Sequence, residues 1–153
     1  MKTLSVGSPA PDFTLPDQQG DERTLSRLLQ DGPVVLFFYP VAMSGGCTKE
    51  ACHFRDLADE FTAAGGQRVG ISVDEVAKQE QFARQGGFDY PLLSDVEGDV
   101  ATAYGVRRRF ITPVKRATFV IDRDQRVAAV ITSETNMTVH ADRALEGLRR
   151  LAA

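Results

Sequence analysis

The order of elements readable in the 153-residue chain predicts an α/β or α+β sandwich. Three observations carry that reading. Strand-length segments stand at Val34–Tyr39, Arg68–Val73 and Ala117–Ile121. Stretches with apolar residues at helical spacing lie between the first two and beyond the second. Arg126–Ile131 then succeeds Ala117–Ile121 across the short turn Asp122–Gln125, as the second arm of a hairpin.

Taken in order, Gly7–Gly20 is rich in proline and turn formers around a strand candidate at Phe13–Leu15. Leu25, Leu28 and Leu29 suggest a short helix with Thr24 as its cap. Asp31-Gly32-Pro33 is a turn before Val34–Tyr39, an apolar run that reads as a strand buried on both faces. Pro40 ends that strand, because proline cannot donate to a sheet ladder. After the flexible Ser44-Gly45-Gly46 turn, a helical pattern begins near Cys47 and carries Ala51, Phe54, Leu57, Ala58 and Phe61 before Gly65-Gly66 stops it. Asp74 is the expected cap of a helix running to about Gln85, with Val76, Phe82 and Ala83 inward and Gly86-Gly87 beyond its end. A short strand at Tyr90–Leu93 and a brief helix at Val96–Tyr104 come next. Val106–Arg116 is the least regular loop, Thr132–Val139 is a polar connection, and the last helix spans His140–Leu151.

One domain over residues 1–153 is expected from length and an ordinary composition, 42% hydrophobic and 25% charged. A net charge of −3 gives no general attraction to nucleic acid or to anionic membrane. No apolar run approaches the roughly 20 residues needed to span a bilayer. The start MKTLSVGSPAP lacks the apolar core of a signal peptide, so a cytoplasmic address is the expectation. In a reducing compartment the two cysteines read as catalytic, redox-active or inert, not as a structural staple.

Cys47 falls in the first turn of a helix, just past the carboxyl end of a core strand. Free amides and the positive end of the helix dipole stabilise a thiolate at such an address. The bland alternative is a buried cysteine acting as a small hydrophobe. The second cysteine, Cys52, lies on the same helix. Five residues of ideal helix separate Cα atoms by about 8.6 Å, from about 7.5 Å of rise and roughly 140° of rotation. A disulfide needs about 4.4–6.8 Å. The pair can join only if the first turns unwind. His53 and His140 are the only histidines, and their spacing against the cysteines is not a recognised zinc pattern, so no metal is expected.

PVAMSGGC, with Pro40, Ser44 and Cys47, resembles the peroxiredoxin pattern Pro-x-x-x-Thr/Ser-x-x-Cys. The continuation CTKEACHFRD is similar to the Q-type branch, also called bacterioferritin comigratory proteins, which often carries a resolving cysteine five residues on. GSPAPDFTLPDQQG, FDYPLLSDVEGDVATAYGV and KRATFVIDRDQRV resemble further family segments, so the likeness covers nearly the whole chain. One departure is Gly45, where the family usually has proline. The resemblance implies a thioredoxin-like fold with a central mixed sheet flanked by helices.

It also implies a chemistry. Cys47 would be the peroxidatic nucleophile that attacks a peroxide oxygen and becomes a sulfenic acid. Ser44, otherwise a turn residue, would hold the peroxide or the thiolate, and Pro40 would shield the sulfur from water. The backbone amides of Gly46 and Cys47 would bind peroxide oxygens. Arg116 matches the family's arginine before the late strand and would stabilise the thiolate, with Glu50 either orienting it or lying on the surface. Cys52 would resolve the sulfenic acid as an intramolecular disulfide, recycled by thioredoxin or a similar dithiol. Hydrogen peroxide and organic hydroperoxides are the expected substrates, with no metal, haem or flavin, in a monomer or weak dimer. Two rivals are weighed: a non-enzymatic thiol peroxide sensor, and a thioredoxin-like disulfide reductase. The second is disfavoured because such reductases use Cys-x-x-Cys, and here four residues intervene.

Overall fold

The structure is a computed structural model and describes residues 2–152. Its five-stranded sheet has the order β5-β4-β3-β6-β7, built from β3 (Val34–Phe38), β4 (Gln67–Ser72), β5 (Leu92–Ser94), β6 (Ala117–Ile121) and β7 (Val127–Thr132). β3, β4 and β5 run parallel; β6 and β7 are antiparallel to their neighbours, so the sheet is mixed. A two-stranded antiparallel ribbon, β1 (Thr14–Pro16) with β2 (Glu22–Thr24), stands apart from it. The helices are α1 (Leu25–Leu28), α2 (Gly45–Asp56), α3 (Ala58–Ala63), α4 (Val76–Gly86), α5 (Asp99–Ala103) and α6 (Val139–Ala152).

β3 is the axis of the core. All five of its residues are buried, and strand alternation sends them to opposite faces. Val34, Leu36 and Phe38 pack with Leu25, Val69, Tyr104 and Phe119. Val35 and Phe37 face the other way, against Ala51 and Phe54 of α2, Phe82 of α4 and Leu148 of α6. Phe37 and Phe54 stack with ring centroids 4.1 Å apart and 8° between planes, which fixes the C-terminal part of α2 against the sheet.

Four expectations need correction. The helix expected to carry its pattern from Cys47 to Phe61 breaks at Leu57, whose φ of −94° and ψ of 19° separate α2 from α3. Leu57 still donates to the His53 carbonyl and accepts from the Phe61 amide, so the apolar stripe keeps its phase across the break. Thr24 sits at the start of α1 without a side-chain cap bond; its hydroxyl pairs with that of Thr14, 2.8 Å away, and it closes β2, a strand the residues gave no sign of. Asp74 does not cap α4, which starts after Glu75; its carboxylate accepts from the Ala42 amide at 2.7 Å. The helix expected over Val96–Tyr104 is confined to Asp99–Ala103, because Gly98 adopts a left-handed φ of 74° just before it.

Candidate active site

The site forms where β3 ends and α2 begins. Pro40 and Ala42 are buried in the connecting loop, and Met43 takes a positive φ of 67°, turning the chain into Ser44. Asp74 anchors this loop from the end of β4, accepting from the Ala42 amide and the Ser72 hydroxyl at 2.7 Å each and pairing with Lys78. Ser44 is the N-cap of α2: its hydroxyl donates to the Val41 carbonyl at 3.0 Å and accepts from the Cys47 amide at 3.3 Å. Gly45 occupies the first helical position, exposed and with open space around its missing Cβ. Proline is favoured there, so glycine costs conformational entropy and no contact.

Cys47 therefore lies in the first turn of α2, 1% exposed, with its sulfur against a guanidinium. Arg116 Nη2 donates to Cys47 Sγ at 3.4 Å, and Arg116 Nη1 to Glu50 Oε1 at 3.1 Å. The sheet register brings them together. β6 runs antiparallel to β3 with Ala117 opposite Phe38, so the residue before Ala117 emerges beside the end of β3, where α2 starts. The guanidinium and the Met137 sulfur would each stand 3.3 Å from a Cβ at Gly46, so only a bare backbone lets both close over the helix start.

Beneath Arg116 lies a buried polar group that sequence reasoning missed. The sequence marks His140 only as the start of the last helix; it is fully buried, with Nδ1 2.8 Å from the Thr118 hydroxyl and Nε2 2.9 Å from the Ser133 carbonyl. Nε2–H then donates to the carbonyl while Nδ1 accepts from threonine, the neutral tautomer. Burial, with the Arg116 charge nearby, holds His140 below its ordinary value. Glu50 is fully buried too; its Oε2 stands 3.6 Å from His140 Nε2 and has no hydrogen-bond partner. Burial pushes the Glu50 carboxyl up to about 8, against the pull of Arg116.

Ser44, Gly46, Cys47, Glu50 and Arg116 thus converge, with Pro40 buried in the adjoining loop. Cys52 is on the same helix, half-buried, and both thiols are free. His53 points to α6, its Nε2 2.7 Å from Asp142. Among the described residues no group of three or more His, Cys, Asp or Glu is placed to hold a metal ion, and no helix is long and apolar enough to cross a membrane.

The family model described as AhpC/TSA matches residues 6–130. A Mycobacterium tuberculosis protein named as a peroxiredoxin is 58% identical over 151 residues, 97% of this chain and 98% of its own. The crystal structure of the peroxidoxin BcpB from Mycobacterium tuberculosis superposes with a TM-score of 0.94 at 57% identity, covering 98% of this chain and 99% of that one. A Xanthomonas campestris bacterioferritin comigratory protein, described for its alkyl peroxide reduction activity, superposes with a TM-score of 0.84 at 28% identity over 92% of each chain.

Proposed function

The chain belongs to the AhpC/TSA family and is a peroxiredoxin, a thiol peroxidase of thioredoxin-like fold; from that premise we propose that Cys47 is its peroxidatic cysteine, Cys52 its resolving cysteine, and a thioredoxin-type dithiol its reductant. The observation that carries the reading is the Arg116 guanidinium 3.4 Å from a cysteine sulfur in the first turn of a helix. Two sources of positive charge, guanidinium and helix terminus, act on the sulfur there, and both favour a thiolate over a thiol.

Hydrogen peroxide or an alkyl hydroperoxide enters over Cys47. The thiolate attacks one oxygen, the O–O bond breaks, and water or an alcohol leaves. Arg116 and the Gly46 amide, which has no intrahelical acceptor in the first turn, stabilise the charge developing on the peroxide. The Ser44 hydroxyl now holds the Cys47 amide, so its binding of peroxide requires exchanging that cap for the substrate.

Resolution needs α2 to yield. Its first half is tied by the Ser44 cap, the Arg116–Glu50 pair and the Tyr90 hydroxyl, which donates to the Ala51 carbonyl at 2.8 Å. Beyond that point Phe54 is stacked on Phe37. Unwinding from Gly45 to about Ala51 brings the cysteines together and leaves the aromatic anchor in place. Oxidised protein is expected to exchange the amides of Gly46–Phe54 faster than reduced protein, because amides up to Phe54 use carbonyls in the unwound turns. Unchanged protection in hydrogen-exchange mass spectrometry would mean that the helix holds and Cys52 is not the resolving partner.

The direct test is peptide mapping after one equivalent of peroxide, which should recover a Cys47–Cys52 link. In Cys52→Ser the same equivalent should be consumed and the protein should then stall as a sulfenic acid trapped by dimedone. Normal dithiol-dependent cycling of that variant would take Cys52 out of the mechanism.

A further inference from the structure

Two acids share one cation in this site. Arg116 Nη2 contacts the Cys47 sulfur and Nη1 the Glu50 carboxylate, and among the described residues no other cationic side chain is paired with either. The groups around Glu50 leave it no other charge partner. His140 on α6 gives its proton to the Ser133 carbonyl. Glu134 in the 133–138 connection is a further negative charge, and Tyr90 donates elsewhere, to Ala51. Glu50 Oε2 is fully buried and unpartnered, a costly position for an anionic oxygen and a cheaper one for a carboxylic acid.

We infer that Glu50 is the proton store of the peroxidase reaction: it carries a proton while Cys47 is a thiolate, and gives it to the leaving oxygen as the sulfur loses its charge. This rests on Cys47 being the nucleophile. The balance closes. The thiolate attacks the hydroxyl-bearing oxygen of R–O–O–H; the S–O bond forms and the O–O bond breaks, with its electron pair leaving on RO⁻. RO⁻ takes the Glu50 proton and departs as alcohol, or as water when R is hydrogen. Sulfur is oxidised to the sulfenic acid and the peroxide is reduced. The carboxylate left behind takes over the Arg116 charge that the thiolate held, so the buried site is neutral before and after. The raised value of the Glu50 carboxyl, about 8, agrees with a protonated resting state at neutral pH.

Glu50→Gln separates this role from mere orientation, because the amide oxygen still accepts from Arg116 Nη1 while the side chain has no acid proton. The expected result is a fall of about 10²-fold or more in the rate of sulfenic acid formation. In the Cys52→Ser protein at neutral pH, the infrared difference spectrum on adding one equivalent of hydrogen peroxide should show loss of a protonated-carboxyl C=O band. That loss should be missing when Glu50→Gln is added. Sulfenic acid formation at Cys47 with no carboxyl band lost, or a Glu50→Gln protein reacting at the wild-type rate, overturns the proton store and leaves the peroxidatic assignment standing. Absence of oxidation at Cys47 overturns that assignment itself.

Discussion

Cys47→Ser is expected to abolish peroxide consumption while the protein stays folded. The replacement exchanges sulfur for a smaller oxygen in a buried site, so it opens little space, and it keeps a group able to accept from Arg116. Even complete loss of this hydrogen bond to a charged donor is worth about 1.5–3 kcal/mol, less than the stability of a domain of this size. Chemistry suffers far more. A thiol has a pKa of about 8.5 and is a few per cent ionised even without help, whereas a serine hydroxyl supplies essentially no anion at neutral pH. The Arg116 and Gly46 donors remain, but they have no nucleophile to serve. Peroxide consumption with excess dithiol, alongside a thermal melt, checks both halves. Turnover retained in Cys47→Ser would transfer the nucleophile role to Cys52, whose half-buried position in mid-helix offers no free amides.

The frame around this sulfur was legible because its signals are local. An apolar run, a proline, two glycines and a helical stripe sit within about thirty consecutive residues, and each restricts the backbone without reference to distant partners. Ser44 looked like a turn residue and is both that and the cap of α2, roles that share one geometry. The break at Leu57 was not legible, since hydrogen bonds on either side preserve the periodicity that a pattern can register. β2 was invisible for another reason. Glu22-Arg23-Thr24 is too short and polar to alternate, and it is a strand only because β1 lies beside it.

Long-range partners were the harder part. Only the family likeness singled out Arg116, because its contact with Cys47 spans 69 positions and depends on the register of β6 on β3. His140 and Asp74 had no such help. A histidine at a helix start and an aspartate read as a helix cap carry no local sign of burial. That one is buried against Thr118 and the other pins the Ala42 amide is a product of tertiary packing that propensity does not contain. Glu50 shows the limit most clearly. Its spacing from Cys47 put it one helical turn on, and nothing in the sequence distinguished a surface carboxylate from a fully buried one.

Arg116→Met should lower the rate of Cys47 oxidation by about 10²–10³-fold, the loss typical of removing one donor aimed at developing charge, or roughly 2.7–4 kcal/mol. Methionine is close in length and can fill the space between Gly46 and Met137, so packing is largely kept. Arg116 Nε is buried without a partner, and the backbone amide that Glu134 accepts from at 2.7 Å survives the change. The electrostatic consequence falls on the two acids. Removing one partner of a buried ion pair ordinarily costs about 3–5 kcal/mol because a charge is left behind. Here the carboxyl is already raised to about 8, so it can bind a proton at neutral pH and the cost is reduced. The pH dependence has a definite sign. A carboxyl raised in the folded state stabilises the fold fully below its ordinary value of 4.5, and that contribution is lost as pH rises through about 8. Without Arg116 to lower it, the Glu50 carboxyl moves higher still, and the loss of stability extends further into the alkaline range. Urea titrations from pH 5 to pH 9 on reduced wild type and Arg116→Met should therefore diverge as pH rises. Arg116→Lys should recover only part of the rate, because a single ammonium cannot bridge Cys47 and Glu50 as the two guanidinium nitrogens do. Full activity in the lysine variant would show that charge alone suffices and that the two-armed geometry is incidental.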